Sequence, residues 1–414
     1  MTRSPVGPLG TATLGHRAAR VLTAEFARRT GPTTGLVVDA TPGSAVLAAA
    51  IDALAAQGRL AVVTPDAAAM REHVATLGRW VADRLQVLDS LAAADPADVV
   101  MVAEPLTGAA EEVRATVDGL AKVVADGGVL VLAGVALPRG ATGVAQELDR
   151  QSALFGVGSD LVLRNAPPVR VHRLRHTAAD PATAARLAPF SRPSSVRLSR
   201  DMHVDANGVA AAGLALGLAA AARLARPRSP LWLLPAAAAL PVAAFFRDPH
   251  REVPADESLV LAASDGRVLS VERVTDDRFG GDGAKVEYLR VAVFLSVLDV
   301  HVNRSPVAGR VVDYFLVDGG FAAAMRPDAE HNVAAYTVLE TPRGRVVVAQ
   351  RTGLLARRIV QRAPAGALLA RGERFGLIRF GSRTDVYLPA TEVQPLVAPR
   401  DRVIAGTSPI ARWR

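Results

Sequence analysis

Two consecutive apolar runs near the middle of the chain limit its fold more than any other feature. Residues 208–224 are nearly all Ala, Gly and Leu, and a second run follows at 231–246 after Ala225-Arg226-Pro227-Arg228-Ser229-Pro230. A helix of about 20 apolar residues spans the hydrocarbon core of a bilayer, and each run approaches that length. Pro235 and Pro241 interrupt the second run, which suits a tight helical hairpin or a re-entrant or interfacial anchor. The competing reading is a helix pair buried in a soluble core. Arg223, Arg226 and Arg228 lie between the runs, and Arg197, Arg200, Arg247 and Arg251 flank them. Positive charge on both sides leaves orientation open. Residues 208–246 are therefore expected to be paired membrane-anchor segments.

The runs divide a 414-residue chain that is 50% hydrophobic and 21% charged, a balance that supports more than one packed core. In residues 1–175, apolar strand-like runs at 35–39, 60–64, 99–103 and 128–133 alternate with helical stretches at 45–56, 67–77 and 109–125. That alternation predicts a Rossmann-like α/β domain around a parallel sheet. Residues 176–207, with Pro181, Pro189 and Pro193, read as a linker. Residues 247–414 change to short alternating stretches at 267–273, 285–295, 345–349 and 383–388. Turn signals separate them at Asp265-Gly266, Gly280-Gly281, Asp318-Gly319 and Arg343-Gly344, predicting a mostly antiparallel β domain.

The net charge of +8 is carried almost wholly by arginine, the only lysines being Lys122 and Lys285. Zinc-finger spacing and aromatic-interleaved basic patches are absent from the sequence, so nucleic acid is not the expected partner. The chain has no cysteine, which excludes disulfides and thiolate metal sites; no metal site is expected.

The last region holds several unusual strings. They are Phe246-Arg247-Asp248-Pro249, Ala263-Ser264-Asp265-Gly266-Arg267-Val268, Phe294-Leu295-Ser296-Val297-Leu298-Asp299-Val300-His301-Val302-Asn303-Arg304-Ser305-Pro306, Glu330-His331-Asn332, Gly353-Leu354-Leu355-Ala356-Arg357-Arg358-Ile359-Val360 and Arg379-Phe380-Gly381-Ser382-Arg383-Thr384-Asp385. In order and spacing, over residues 200–389, the chain resembles the short-form phosphatidylserine decarboxylases, whose cofactor is a pyruvoyl group.

The resemblance implies self-cleavage between Gly381 and Ser382, leaving a pyruvoyl group derived from Ser382. The hydroxyl would attack the Gly381 carbonyl, turning amide to ester. Elimination across Cα–Cβ would free the upstream chain, and hydrolysis would leave the ketone and ammonia. A serine hydroxyl needs a base beside it; the resemblance implies His301 as that base and Asp265 as its orienting carboxylate, a triad acting in cis. Arg304 stands where long-form relatives carry a second histidine, so His301 would serve both maturation and turnover, with His331 a candidate to share the work. Arg304, Arg357, Arg358 and Arg383 are candidates for holding substrate phosphate or carboxylate. The implied substrate is phosphatidylserine in the bilayer, and the products are phosphatidylethanolamine and CO2. The large and small chains are expected to stay associated, a homo-oligomer is possible, and the enzyme is expected at the cell membrane, peripheral or hairpin-anchored, with its catalytic domain on the cytoplasmic side.

The first region resembles class I S-adenosylmethionine-dependent methyltransferases. Leu36-Val37-Val38-Asp39 fits the first strand, and Asp66 ends the second. The loop expected to be glycine-rich reads Ala40-Thr41-Pro42-Gly43-Ser44-Ala45, and lost glycines block close approach of backbone to a cofactor. A regulatory or cofactor-free domain is the reading retained. The alternatives are a membrane-anchored lipid methyltransferase with a β-rich carrier-like accessory domain, and a swinging-arm carrier loaded at Lys285.

Overall fold

The computed structural model describes residues 13–136, 142–190, 195–280, 283–354, 358–379 and 382–414. They fall into two units, residues 1–180 with 186–188, and residues 181–185 with 189–414.

Among the described residues, the first unit is built on a seven-stranded sheet: β1 Thr34–Val38, β2 Arg59–Val63, β3 Leu85–Leu88, β4 Ala97–Val102, β5 Val124–Val135, β6 Gly156–Val162 and β7 Val169–Leu174. The order is β3-β2-β1-β4-β5-β7-β6; the first five strands are parallel and β7 is antiparallel to both neighbours. Period-2 alternation explains how both faces are buried. Val37, Val99, Met101 and Val131 join one core, while Leu36, Val38, Val100, Leu130 and Leu132 join another with Val113, Val117 and Leu120. Helix Ala45–Asp52 starts where Ser44 Oγ accepts from the Leu47 amide, and helix Ala67–Thr76 where Asp66 accepts from Ala69, as N-caps do. The helix expected over 109–125 spans Ala110–Ala121, because Val124 already opens β5.

The apolar runs are helical. Helix Ala206–Ala225 has 20 residues, a length of about 30 Å at 1.5 Å per residue. Helix Leu233–Phe245 packs against it after the turn Pro230–Trp232. In the first helix only 11% of the most apolar window is buried, and Leu214, Leu216, Leu218, Leu234 and Leu240 are all exposed. A soluble core pair would be covered, so the buried-pair reading fails within this unit. The stretch read as linker is not all linker: β9 Met202–Asp205 pairs with β8 Ser195–Arg197 on one side and with β10 Arg247–Pro249 on the other.

Among the described residues of this second unit, the large sheet has eight antiparallel strands. In spatial order they are β19 Leu368–Leu369, β15 Gly309–Val317, β16 Ala334–Thr341, β17 Gly344–Arg351, β21 Ser382–Pro389, β13 Val286–Leu295, β12 Gly266–Asp276 and β23 Arg402–Val403. A small sheet sets β14 Val302–Arg304 and β18 Arg358–Gln361 on either side of β20 Arg374–Arg379; another joins β11 Leu259–Leu261, β24 Pro409–Trp413 and β22 Val393–Pro395. Gly266 is needed where it stands: its φ is +149°, and a Cβ there would lie 2.1 Å from the Phe294 carbonyl oxygen.

Candidate active site

The chain passes between the large and small sheets at two neighbouring places. Going out, β13 ends at Leu295 and β14 begins at Val302; coming back, β20 ends at Arg379 and β21 begins at Ser382. Leu295 lies opposite Ser382 in the large sheet. At the small sheet, the Ile378 amide donates to the His301 carbonyl at 3.3 Å. Register thus brings the first residue of β21 and the loop carrying His301 to one corner. Gly381 and Arg357 lie outside the described residues.

Ser382 is fully buried, and its Oγ has no hydrogen-bond partner among the described residues. A buried, unsatisfied hydroxyl costs about 1–3 kcal/mol, so such exceptions call for an explanation.

His301 is 2% exposed, and its Nδ1 lies 2.9 Å from the Asp299 carbonyl. A carbonyl only accepts, so Nδ1 bears the proton and the lone pair of the neutral ring is on Nε2. Burial pushes the ring's pKa down to about 4, opposed by the Asp299 hydrogen bond and charge and aided by Arg247. The ring is therefore neutral near pH 7 and able to take a proton. Its loop is closed by Asp299 Oδ2, which accepts from the Ser296 amide at 2.8 Å and from Ser296 Oγ at 2.6 Å.

Asp265 does not hold that Nδ1, because one N–H serves one acceptor here and the Asp299 carbonyl takes it. The Asp265 carboxylate instead accepts from Arg251 Nη2 at 2.8 Å and from the Ala405 amide at 2.9 Å. Burial raises its pKa against those two partners.

Two of the arginine candidates are occupied elsewhere. Arg304, 3% exposed, donates to Asp248 Oδ1 and to the carbonyls of Pro249 and Gly372. Asp248 also pairs with Arg374. Arg383, 5% exposed, pairs with Asp385, which also takes Arg351 Nε at 2.7 Å. Both guanidinium groups are buried and engaged by carboxylates. Arg358 and His331 are exposed.

The expected residues omitted a buried polar layer behind Ser382. Thr384 shares its strand face, and Thr384 Oγ1 lies 2.5 Å from Ser264 Oγ. Gln350 is opposite Thr384, and its Nε2 donates to Asn303 Oδ1 at 2.6 Å. Asn303 Nδ2 and Gln350 Oε1 have no partner, and both residues are fully buried. Asn303 stands two residues after His301, inside a string the sequence already singled out, whereas Gln350 gives no local signal.

A sequence model of the phosphatidylserine decarboxylase family matches residues 239–411. A phosphatidylserine decarboxylase proenzyme from Symbiobacterium thermophilum is 52% identical over 170 residues, covering 41% of this chain and 77% of the relative. Proenzymes of the same name are 47% identical over 171 residues in Pelobacter propionicus (41% of this chain, 74% of the relative) and 44% identical over 167 residues in Geobacter sulfurreducens (40% and 74%). Among solved structures, a precorrin-6y C5,15-methyltransferase from Geobacter metallireducens matches with TM-score 0.28 and 15% identity over 40% of this chain and 92% of that one. An O-methyltransferase from Bacillus cereus matches with TM-score 0.28 and 13% identity over 39% and 80%. With more than two thirds of each proenzyme covered at 44–52% identity, the chain belongs to the phosphatidylserine decarboxylase family.

Proposed function

We propose that the phosphatidylserine decarboxylase activity of this chain depends on self-cleavage between Gly381 and Ser382, which converts Ser382 into a pyruvoyl group. The observation that carries the reading is the buried, partnerless Ser382 Oγ at the corner to which the His301 loop also comes. A pyruvoyl group is no larger than the serine it replaces, so the closed surroundings of Ser382 fit it. When formed, it supplies the electron sink that removal of CO2 from an α-amino acid head requires.

The chain's own residues supply proton handling and position. His301 takes the Ser382 Oγ proton as the oxygen bonds to the Gly381 carbonyl carbon. The proton returns to the amide nitrogen as the C–N bond breaks. During turnover, the same neutral ring first takes a proton from the substrate's ammonium group and then delivers it to the carbon that has lost CO2. Asp265 holds Arg251, and Arg358 is an exposed cation available to a lipid phosphate. The piece starting at Ser382 stays with the rest because β21 is hydrogen-bonded on both sides, to β17 and β13.

Exposed leucines on a helix pair, one member of it about 30 Å long, support seating in the bilayer where the substrate's acyl chains lie. The decarboxylase unit is assigned to the cytoplasmic side, and protease protection in inverted against right-side-out vesicles tests that placement. For the reaction itself, Ser382→Ala should give one uncut, inactive chain on denaturing electrophoresis and in CO2 release from phosphatidylserine vesicles. Two fragments, or normal activity, in that variant would sink the mechanism.

A further inference from the structure

The base of the apolar helix pair reaches the His301 loop directly. Phe245, the last residue of helix Leu233–Phe245, is 5% exposed, and its ring centroid lies 4.3 Å from that of His301. Arg247 donates through Nη1 to the Ala244 carbonyl at 3.1 Å and through Nη2 to the Leu298 carbonyl. Ala244 belongs to the last helical turn, whose carbonyls lack helix partners; Leu298 lies in the loop that Ser296 and Asp299 close. One guanidinium thus ties helix end to loop.

The first helix is fixed to the same small sheet. Its N-cap Asp205 pairs with Arg362 at 2.5 Å, and Asn207 Oδ1 accepts from Arg379 at 2.6 Å. Phe245 and Phe246 pack with Val204 and with Leu377 of β20, the strand that holds the His301 backbone.

We propose that Phe245 and Arg247 are positioning residues for decarboxylation: they fasten the membrane helices to the His301 loop, so that seating of the helices sets the imidazole. The proposal rests on His301 being the acid–base group. Phe245 covers the ring and excludes water. Arg247 fixes the height of the loop. The charged groups facing the ring are Asp299 from its own loop and Arg247 from the helix end. From β20, Arg379 turns to Asn207 and Arg374 to Asp248. Removing the phenyl face rehydrates the imidazole and moves its pKa back up toward the ordinary histidine range.

The test uses the full chain in phosphatidylserine-containing micelles, with the rate of CO2 release followed from about pH 4.5 to about pH 8. Phe245→Ala should move the acid limb up from about pH 4 toward the ordinary histidine value of about 6.5, a full return lowering the rate near pH 5.5 roughly 10-fold relative to wild type. Phe245→Leu, which keeps an apolar cover, should restore most of it. Arg247→Lys cannot serve two carbonyls with one fork and should move the limb by a smaller amount in the same direction, with kcat lowered and KM little changed. If Phe245→Ala does not fold, Phe245→Leu against Phe245→Ser and Arg247→Lys carry the same comparison. An acid limb that stays at the wild-type position in the folded variants overturns the proposal while leaving the role of His301 intact. A wild-type profile with no acid limb would instead remove His301 from the chemistry.

Discussion

β4 of the first unit and β21 of the second occupy the same kind of place. Each is an inner strand paired on both sides and largely buried. β4 reads Ala-Asp-Val-Val-Met-Val, whereas β21 opens Ser-Arg-Thr-Asp before turning apolar. Hydrocarbon needs no particular partner, but every buried polar group does. In β21 Arg383 has Asp385, Asp385 has Arg351 as well, and Thr384 has Ser264. Ser382 alone of the four is left without a partner, and it is the residue whose bond is proposed to break. β4 is held by apolar area, whereas β21 places four polar groups inside at a cost and leaves one of the four unsatisfied.

The sharpest way to break that comparison is to remove a polar partner from one strand and volume from the other. Asp385→Ala leaves Arg351 and Arg383 buried without their carboxylate. It should cost about 3–5 kcal/mol, measured by urea unfolding, and abolish decarboxylation. Met101→Ala in β4 should cost about 2–5 kcal/mol through its cavity and leave the pH profile and KM of decarboxylation unchanged. A loss below about 1 kcal/mol for Asp385→Ala would show that the charges in β21 are not paired in the way their distances imply.

A smaller effect is expected in the polar layer. Asn303→Leu alone strands the Gln350 amide and should lower stability by about 1–3 kcal/mol. Adding Gln350→Met removes both amides together, and stability should return to within about 1 kcal/mol of wild type. Decarboxylation should remain low in the double variant, because the polar layer beside Ser382 is gone. If stability fails to return, the two orphan amide atoms are not what the layer costs.

Much of the first unit could be read from its apolar periodicity. The runs 35–39 and 60–64 become Thr34–Val38 and Arg59–Val63 within a residue. β6 and β7 escaped because Gly156, Gly158, Ser159, Arg170 and His172 break the apolar run. Ser382 and His301 were legible because their signal is local, a short string around each residue. The carboxylate that engages Arg304, Asp248, lies 56 residues away in sequence, so nothing local to Arg304 announces it. Phe245 looked like one more anchor residue, since its contact with His301 exists only once the helix base is docked on the small sheet. Local strings mark the proposed nucleophile and base; they do not reveal who holds an arginine or covers a ring.

The gentlest perturbation is acid, and it touches both units. His172 in β7 and His301 are each buried and neutral, with pKa values pushed down to about 4 chiefly by burial. In the unfolded chain each titrates near the ordinary value of about 6.5. Between those values the unfolded state binds more protons than the native one, so stability must fall as pH falls. The histidine contribution is full above about pH 6.5, declines by roughly 1 kcal/mol per pH unit for each ring, and is spent near pH 4. Glu147, held down at about 2 chiefly by Arg150, adds its own loss only below its unfolded value of about 4.5, so the window above that belongs to the histidines. His172→Asn keeps a polar partner for the Ser152 hydroxyl, which lies 2.7 Å from Nδ1, but cannot titrate. It should flatten the pH dependence of unfolding in the first unit and leave the acid limb of decarboxylation where it was. If instead the variant moves that limb and keeps the unfolding slope, the two buried rings are not separable, and the division of labour between the units fails with them.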